Sequence, residues 1–360
     1  MKRLISNLAL SLVSVLLFVA VFEVVLRFLP VGDALLAEPV SEDQPIFRFR
    51  PDRTLMWSRG ATFDLVNRIR VNNAGFVNDQ DYRSDDETPL LAVVGDSQIE
   101  AAMVPYEDTL HGRLASARAD RVYSFAASGA PLSQYVVWAR YARQAWKAER
   151  LVVVVIGNDF DESLASVKQG PGFHHYKEDE SGELGLVRFD YRPNPLRPLV
   201  KHSAVARYLL FNIQIIQRVE RLLSAFSIEA RAESERYAGN TSVSADPPRV
   251  ALSKRAVSAF FRDLIDTAGW HPKTVLFVVD GFRYPDRAVA GAGSYFGVMR
   301  THFITEANAL GFGVIDMDPI FFADFTGSGQ PFEFPTDGHW NGRAHGLAAR
   351  AVSQVIDAGW

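Results

Sequence analysis

The pattern of hydrophobic and polar positions changes character twice along the chain. After Lys2 and Arg3, no residue from Leu4 to Phe22 is charged. A run of about 19 such residues is enough for one helix across a bilayer core. Glu23 and Arg27 follow at i,i+4 spacing, and Pro30 ends the helix. Residues 31–60 are then rich in Pro, Asp, Glu and Arg and lead away from the apolar segment. From Phe63 to Asp79 apolar and polar residues alternate around Asn72-Asn73-Ala74-Gly75, which predicts a hairpin or edge strand ahead of the main fold.

From Leu90 onward short apolar strands alternate with stretches of helical period. The strands are predicted at Leu90–Val94, Arg121–Phe125, Leu151–Ile156, Thr274–Val279 and Gly313–Met317. Between them, Ser133–Trp146, Ser253–Gly269 and Asn341–Gly359 predict helices. In the second, Val257, Phe260, Phe261, Leu264 and Ile265 make one face and Gly269 stops the helix. This alternation predicts an α/β fold, a doubly wound parallel sheet of about five strands with helices on both faces. The stretch between the third and fourth strands is long. Residues 170–200 read as an excursion over the active face, residues 202–226 as one amphipathic or buried helix, and residues 231–249 as disorder-like. The Asn240-Thr241-Ser242 sequon reads as chance. The chain thus divides into an anchor over 1–30, a lead-in over 31–87, and a main domain over 88–360 with an insertion over 170–250.

Composition narrows the function. The chain has 360 residues, 48% hydrophobic and 22% charged, enough for a substantial core. Net charge is −4 with no basic stripe, which argues against nucleic acid as a partner. Cys is absent, so disulfides, thiolate metal sites and cysteine nucleophiles are excluded. The basic N-terminus ahead of the apolar run predicts a cytoplasmic N-terminus and an extracytoplasmic domain. A cleavable signal peptide is the competing expectation, with Leu35 to Ala37 as its weak cleavage site.

In a doubly wound sheet, functional groups collect beyond the carboxyl ends of the strands. Those positions here hold Gly95-Asp96-Ser97, then Gly129, then Asn158-Asp159, then Asp280 and Arg283, and near the C-terminus Asp337 and His339. A serine hydroxyl attacks an acyl carbon only when a base takes its proton. His339 suits that task if Asp337 holds its tautomer, and the Ser97 N–H, Gly129 N–H and Asn158 amide suit an oxyanion. Singly, each piece is an ordinary turn or helix cap. Together they supply, at strand ends, the parts that acyl transfer needs. Asp159, Asp280 and Arg283 are candidate substrate contacts, the last two equally well a local ion pair. His345 is a rival base, but it falls inside the last predicted helix. His174 and His175 lack companion ligands at metal spacing and read as a surface pair, so no metal or organic cofactor is expected. The aromatic residues of "GSYFGVMRTHF" and "PIFFADF" read as core rather than a carbohydrate platform.

"GDSQ", the Gly of "SGAPLSQY", "GND" and "TDGHW" resemble, in order, the four blocks of the SGNH (GDSL-type) hydrolases. The resemblance covers roughly residues 88–360. It implies a flavodoxin-like SGNH fold, Ser97 as nucleophile, Gly129 and Asn158 in the oxyanion hole, and Asp337 with His339 completing a triad. One residue separates acid and base where many members have two, and Gly157 directly precedes Asn158 where a spacer is usual. The Asp-x-His-Trp form is similar to that of alginate O-acetylation proteins, which place it before the serine. The implied function is a membrane-anchored serine esterase or O-acyltransferase, acting on acylated carbohydrate or another acyl ester. The alternative is an SGNH-fold assembly subunit with a membrane-protein partner and no turnover. No feature of the sequence identifies an acyl-chain groove.

Overall fold

A computed structural model describes residues 2–118, 121–194, 200–224 and 244–360. Five strands form one sheet: β3 (Leu90–Gly95), β4 (Arg121–Ala126), β5 (Arg150–Val155), β8 (Val275–Val279) and β9 (Gly313–Asp316). Their order is β4-β3-β5-β8-β9 and every pairing is parallel. This is the doubly wound, flavodoxin-like arrangement, with all five strands where the apolar runs put them. Each run is continuous because both faces of the sheet are covered. Ala92, Val94, Val153 and Phe277 point into one core layer with α4 (Leu132–Trp146), α7 (Pro247–Asp266) and α9 (Tyr295–Ala309). Val93, Val152, Val154 and Val278 point into the other, with α3 (Leu110–Arg118), α10 (Met317–Ser328) and α11 (Gly342–Asp357). Tyr295, Phe296, Phe303 and Phe321 are buried in these layers, as expected of core aromatics.

Three features outside the sheet differ from expectation. The hairpin of the lead-in is β1 (Arg53–Arg59) against β2 (Leu65–Val71), turning at Gly60 rather than at Asn72–Gly75. The Asn72 side chain instead accepts from the Ala74 and Phe76 amides and closes a small separate turn. The excursion over 170–200 contains a second hairpin, β6 (His174–Glu178) and β7 (Leu184–Arg188), which packs against α4 and α7. The helix expected over 202–226 is broken into α5 (Ala204–Arg207), a π-helical turn over Tyr208–Asn212, and α6 (Ile215–Ser224). Gln214 causes the break, with a left-handed φ of 55°. Residues 225–226, most of the disorder-like stretch and the sequon lie outside the described residues.

The lead-in shares the main core: Phe47, Phe49, Phe76 and Tyr82 belong to the same apolar cluster as the sheet. At the N-terminus, α1 (Lys2–Leu26) is long and apolar enough to cross a membrane, as a signal sequence also would be. Its end is not free. The Glu23 carboxylate accepts from the backbone amides of Ala204 and Val205 and from the Ser203 hydroxyl, capping α5. Arg27 binds Glu23 and the His202 carbonyl, while Leu26 and Val31 bury against Ala204.

Candidate active site

The carboxyl end of β3 lies next to the point where the strand order reverses, the usual place for a site in this architecture. Gly95 ends the strand; any Cβ there would meet Ile99 at 2.6 Å. Asp96 then caps the single helical turn α2 (Ser97–Glu100), its side chain accepting from the Gln98 amide. Ser97 is therefore the first residue of the turn, where no helical carbonyl takes the N–H. Ala101, in the left-handed region at φ 45°, ends the turn.

His339 Nε2 lies 2.8 Å from Ser97 Oγ. Its Nδ1 is bonded to Asp337 Oδ1, which also accepts from the His339 amide at 3.0 Å. With Nδ1–H donating to Asp337, Nε2 is left as the acceptor for the serine proton. The imidazole is 22% exposed and the Asp337 side chain 6%, so the ring is reachable and the carboxylate beside it is shielded. Burial pushes the Asp337 carboxyl up, but its hydrogen bond with His339 and the charges of His339 and Arg59 outweigh this and hold it below the ordinary value. Burial also raises Asp96, which lies 3.1 Å from Ser97 Oγ.

His339 is held on β11 (Asp337–Trp340), paired with the two residues of β10 (Glu333–Phe334). Its neighbours are fixed on both sides. The Trp340 amide donates to Gln98 Oε1 at 2.8 Å, tying the strand of His339 to the residue after Ser97. The Gly338 carbonyl accepts from Arg283 Nη1 at 2.8 Å. Arg283, fully buried, pairs with Asp280 at 2.7 Å, and Asp280 also accepts from the Trp340 indole. Asp280 and Arg283 are thus an internal brace for the Asp337–Trp340 strand, which corrects their reading as substrate contacts. Asp159 is corrected in the same way: it is fully buried, accepts from the Tyr135 hydroxyl and the Ile156 amide, and is pushed well up by burial.

Gly129 adopts φ 79°, a left-handed conformation that favours glycine. Its carbonyl accepts from Lys168 Nζ at 2.9 Å. Lys168 pairs with Glu162, and Glu162 accepts from the Asn158 amide at 3.1 Å. The second and third blocks are therefore linked through Lys168 and Glu162, with one Asn158 N–H committed to Glu162. Just before Gly129, the Ser128 amide and hydroxyl both donate to Glu100, a buried carboxyl that burial pushes up.

His345 is fully buried in α11. Its Nδ1 accepts from the Leu110 amide, and burial lowers its pKa to about 3. His174 and His175 are not a surface pair. His175 is buried, with its ring nitrogens on the Gly170 amide and the Glu162 carbonyl, while His174 bonds Gln134. Among the described residues, no group of three or more acidic or imidazole side chains could hold a metal ion.

Sequence reasoning missed Arg59, on β1. Its guanidinium lies 5.3 Å over the Trp57 ring and feels the charges of Asp337 and Glu100. It also missed Lys168 and Glu162. Gln98 and Trp340 stood inside the quoted motifs and Glu100 two residues after one, but adjacency alone assigned them nothing.

No protein-family model and no curated protein matches the chain. Among solved structures it is similar to a lipolytic protein of the G-D-S-L family from Veillonella parvula, at 11% identity and a TM-score of 0.40, over 74% of this chain and 98% of that one. It is also similar to a carbohydrate esterase family 2 enzyme with a carbohydrate-binding domain from Corynascus thermopiles, at 14% identity and a TM-score of 0.40, over 82% of this chain and 76% of that one. A lipase from a goat rumen metagenome aligns at 12% identity and a TM-score of 0.38, over 74% of this chain and 97% of that one.

Proposed function

We propose that this chain is a membrane-anchored serine esterase or O-acyltransferase of SGNH type, with its catalytic domain outside the cytoplasmic membrane. The 2.8 Å approach of His339 Nε2 to Ser97 Oγ, with Asp337 on the far nitrogen, carries this reading. Ser97 Oγ attacks the acyl carbon of an ester as His339 takes its proton. The tetrahedral oxyanion is stabilised by the Ser97 and Gly129 amides and by the second N–H of Asn158. Collapse breaks the bond to the alcohol, which leaves with the proton from His339, and an acyl-Ser97 remains. Water or a second hydroxyl then gives its proton to His339 and attacks the acyl-serine, which releases Ser97. The resemblance to polysaccharide O-acetylation proteins favours acetyl groups on cell-envelope or exported carbohydrate as the substrate class. Hydrolysis and transfer share every step up to acyl-Ser97.

The test is a fluorophosphonate probe offered to the full chain in a neutral detergent. Wild type labels, Ser97→Ala does not, and His339→Ala labels about a thousandfold more slowly or less. Absence of labelling in a folded sample overturns the reading. Topology is tested separately. The chain has no cysteine, so Ser181→Cys places a single thiol in the exposed turn between β6 and β7. An impermeant maleimide labels it in intact cells if the domain lies outside.

A second reading, an SGNH-fold assembly subunit, is favoured by exposed Ile216 and Val219 on α6. On that reading Ser97 stays unlabelled and a membrane protein co-purifies.

A further inference from the structure

The parts of the chain added to the doubly wound domain converge on one cavity of about 700 Å³. One wall is the segment just after α1, Gly32 to Leu36. A second is β1, and a third is the broken helical segment around Phe211. Its inner end reaches Glu100, one helical turn after Ser97, and Ser128, the residue before Gly129. The cavity therefore adjoins the proposed nucleophile without containing it. Such a place suits the non-reacting part of a substrate.

Two properties of the lining define what fits. Leu35, Leu36, Phe49, Leu55, Trp57 and Phe211 make much of the wall apolar. The charged side chains of the lining that have no hydrogen-bond partner, by contrast, are cationic. Asp33 is taken by Arg207, and Glu100 by the Ser128 amide and hydroxyl. Among the described residues, Arg53, Arg59 and Lys201 make no ion pair and donate no side-chain hydrogen bond. Arg59 is half-buried with its guanidinium backed by Trp57, and the charges of Asp337 and Glu100 act on it. A guanidinium held on an aromatic face, with its donors unused, fits a carboxylate, sulfate or phosphate oxygen pair.

We propose that this cavity binds an amphiphile, an apolar body carrying one anionic group, and that Arg59 takes the anion so that the adjoining ester lies at Ser97. The inference rests on the esterase reading for the word ester, and on the cavity alone for the anion.

The experiment compares para-acetoxybenzoate with its methyl ester on the full chain in a neutral detergent. The two share the acyl group and differ in charge. Each rate is divided by that of hydroxide-catalysed hydrolysis, which removes the difference in leaving group. Wild type favours the carboxylate in kcat/KM by about tenfold or more, the size of one charge-assisted bidentate contact. Arg59→Gln brings the ratio to within about twofold of one, mainly through KM, and Arg59→Lys retains part of it. A wild-type ratio near one overturns the proposal. So does an Arg59→Gln loss that falls equally on both esters, which would reduce Arg59 to a counter-charge for Asp337. Calorimetric titration of Ser97→Ala with the amide isostere para-acetamidobenzoate separates the two readings. Binding that Arg59→Gln weakens about tenfold, in a protein whose wild type neither turns over nor labels, keeps the cavity and removes the esterase. Turnover without charge preference does the reverse.

Discussion

At the scale of single residues, the candidate site depends on groups buried behind it. Arg283 and Asp280 are buried and hold the Gly338 carbonyl and the Trp340 indole. Asp280→Asn takes the nearer carboxylate from a buried guanidinium and leaves it only Glu333 at 3.7 Å, which costs up to about 3–5 kcal/mol. Denaturant melts of wild type and variant measure it, and a loss under about 1 kcal/mol would mean the brace is not worth its burial. The candidate residues could be picked from the sequence because acyl transfer restricts the residue types and the fold restricts where they stand. The brace was only half legible. Asp280 and Arg283 are close in sequence, but their destination is a carbonyl 55 positions from Arg283, and pattern does not carry that distance. His345 makes a prediction of opposite sign to a catalytic base. It stays neutral in the fold down to a pH of about 3, whereas an unfolded histidine takes its proton near 6.5. Stability is therefore lost as pH falls through that window. His345→Gln flattens the slope of stability against pH between about 4 and 6 by one proton, roughly 1.4 kcal/mol per pH unit. An unchanged slope would place the buried proton uptake elsewhere.

At the scale of elements, the five strands were readable because parallel strands buried on both faces leave an unbroken apolar run. The helix over 202–226 was misread because its periodicity is sound and the break is one residue, Gln214, whose left-handed backbone no propensity announces. The lead-in hairpin was placed one turn too late, since the alternation seen was that of β2 while β1 read as charged linker. That hairpin is fastened to the nucleophile loop: Asn67 on β2 donates to the carbonyls of Ala102 and Val104, at 2.9 and 2.8 Å. Asn67→Ala leaves both carbonyls without that donor at a cost of about 1–3 kcal/mol, and slows fluorophosphonate labelling as the loop after α2 loosens. Loss of stability with labelling untouched would detach the hairpin from the chemistry.

At the scale of the molecule, the N-terminal apolar helix and the helical segment after residue 200 are joined at one place, where Glu23 caps α5 and Leu26 buries beside Ala204. Removing residues 2–30 takes away that cap. Amide exchange over 203–213 then quickens about tenfold, the worth of a helix cap, while the sheet keeps its protection. Equal exchange in both proteins would show that the contact holds nothing. The sequence set Glu23 and Arg27 just after the apolar run but had no means of naming a partner some 180 residues away. If α1 stays in the bilayer, this joint has a consequence for supply. An enzyme on a slack tether sweeps a hemisphere, whereas one seated on its own anchor keeps a fixed bearing and a fixed altitude. Lateral drift and spin then carry its mouth through a thin sheet of space parallel to the lipid. What it meets is decided by how far a molecule stands off the surface, so reach, more than bulk concentration, sorts its customers.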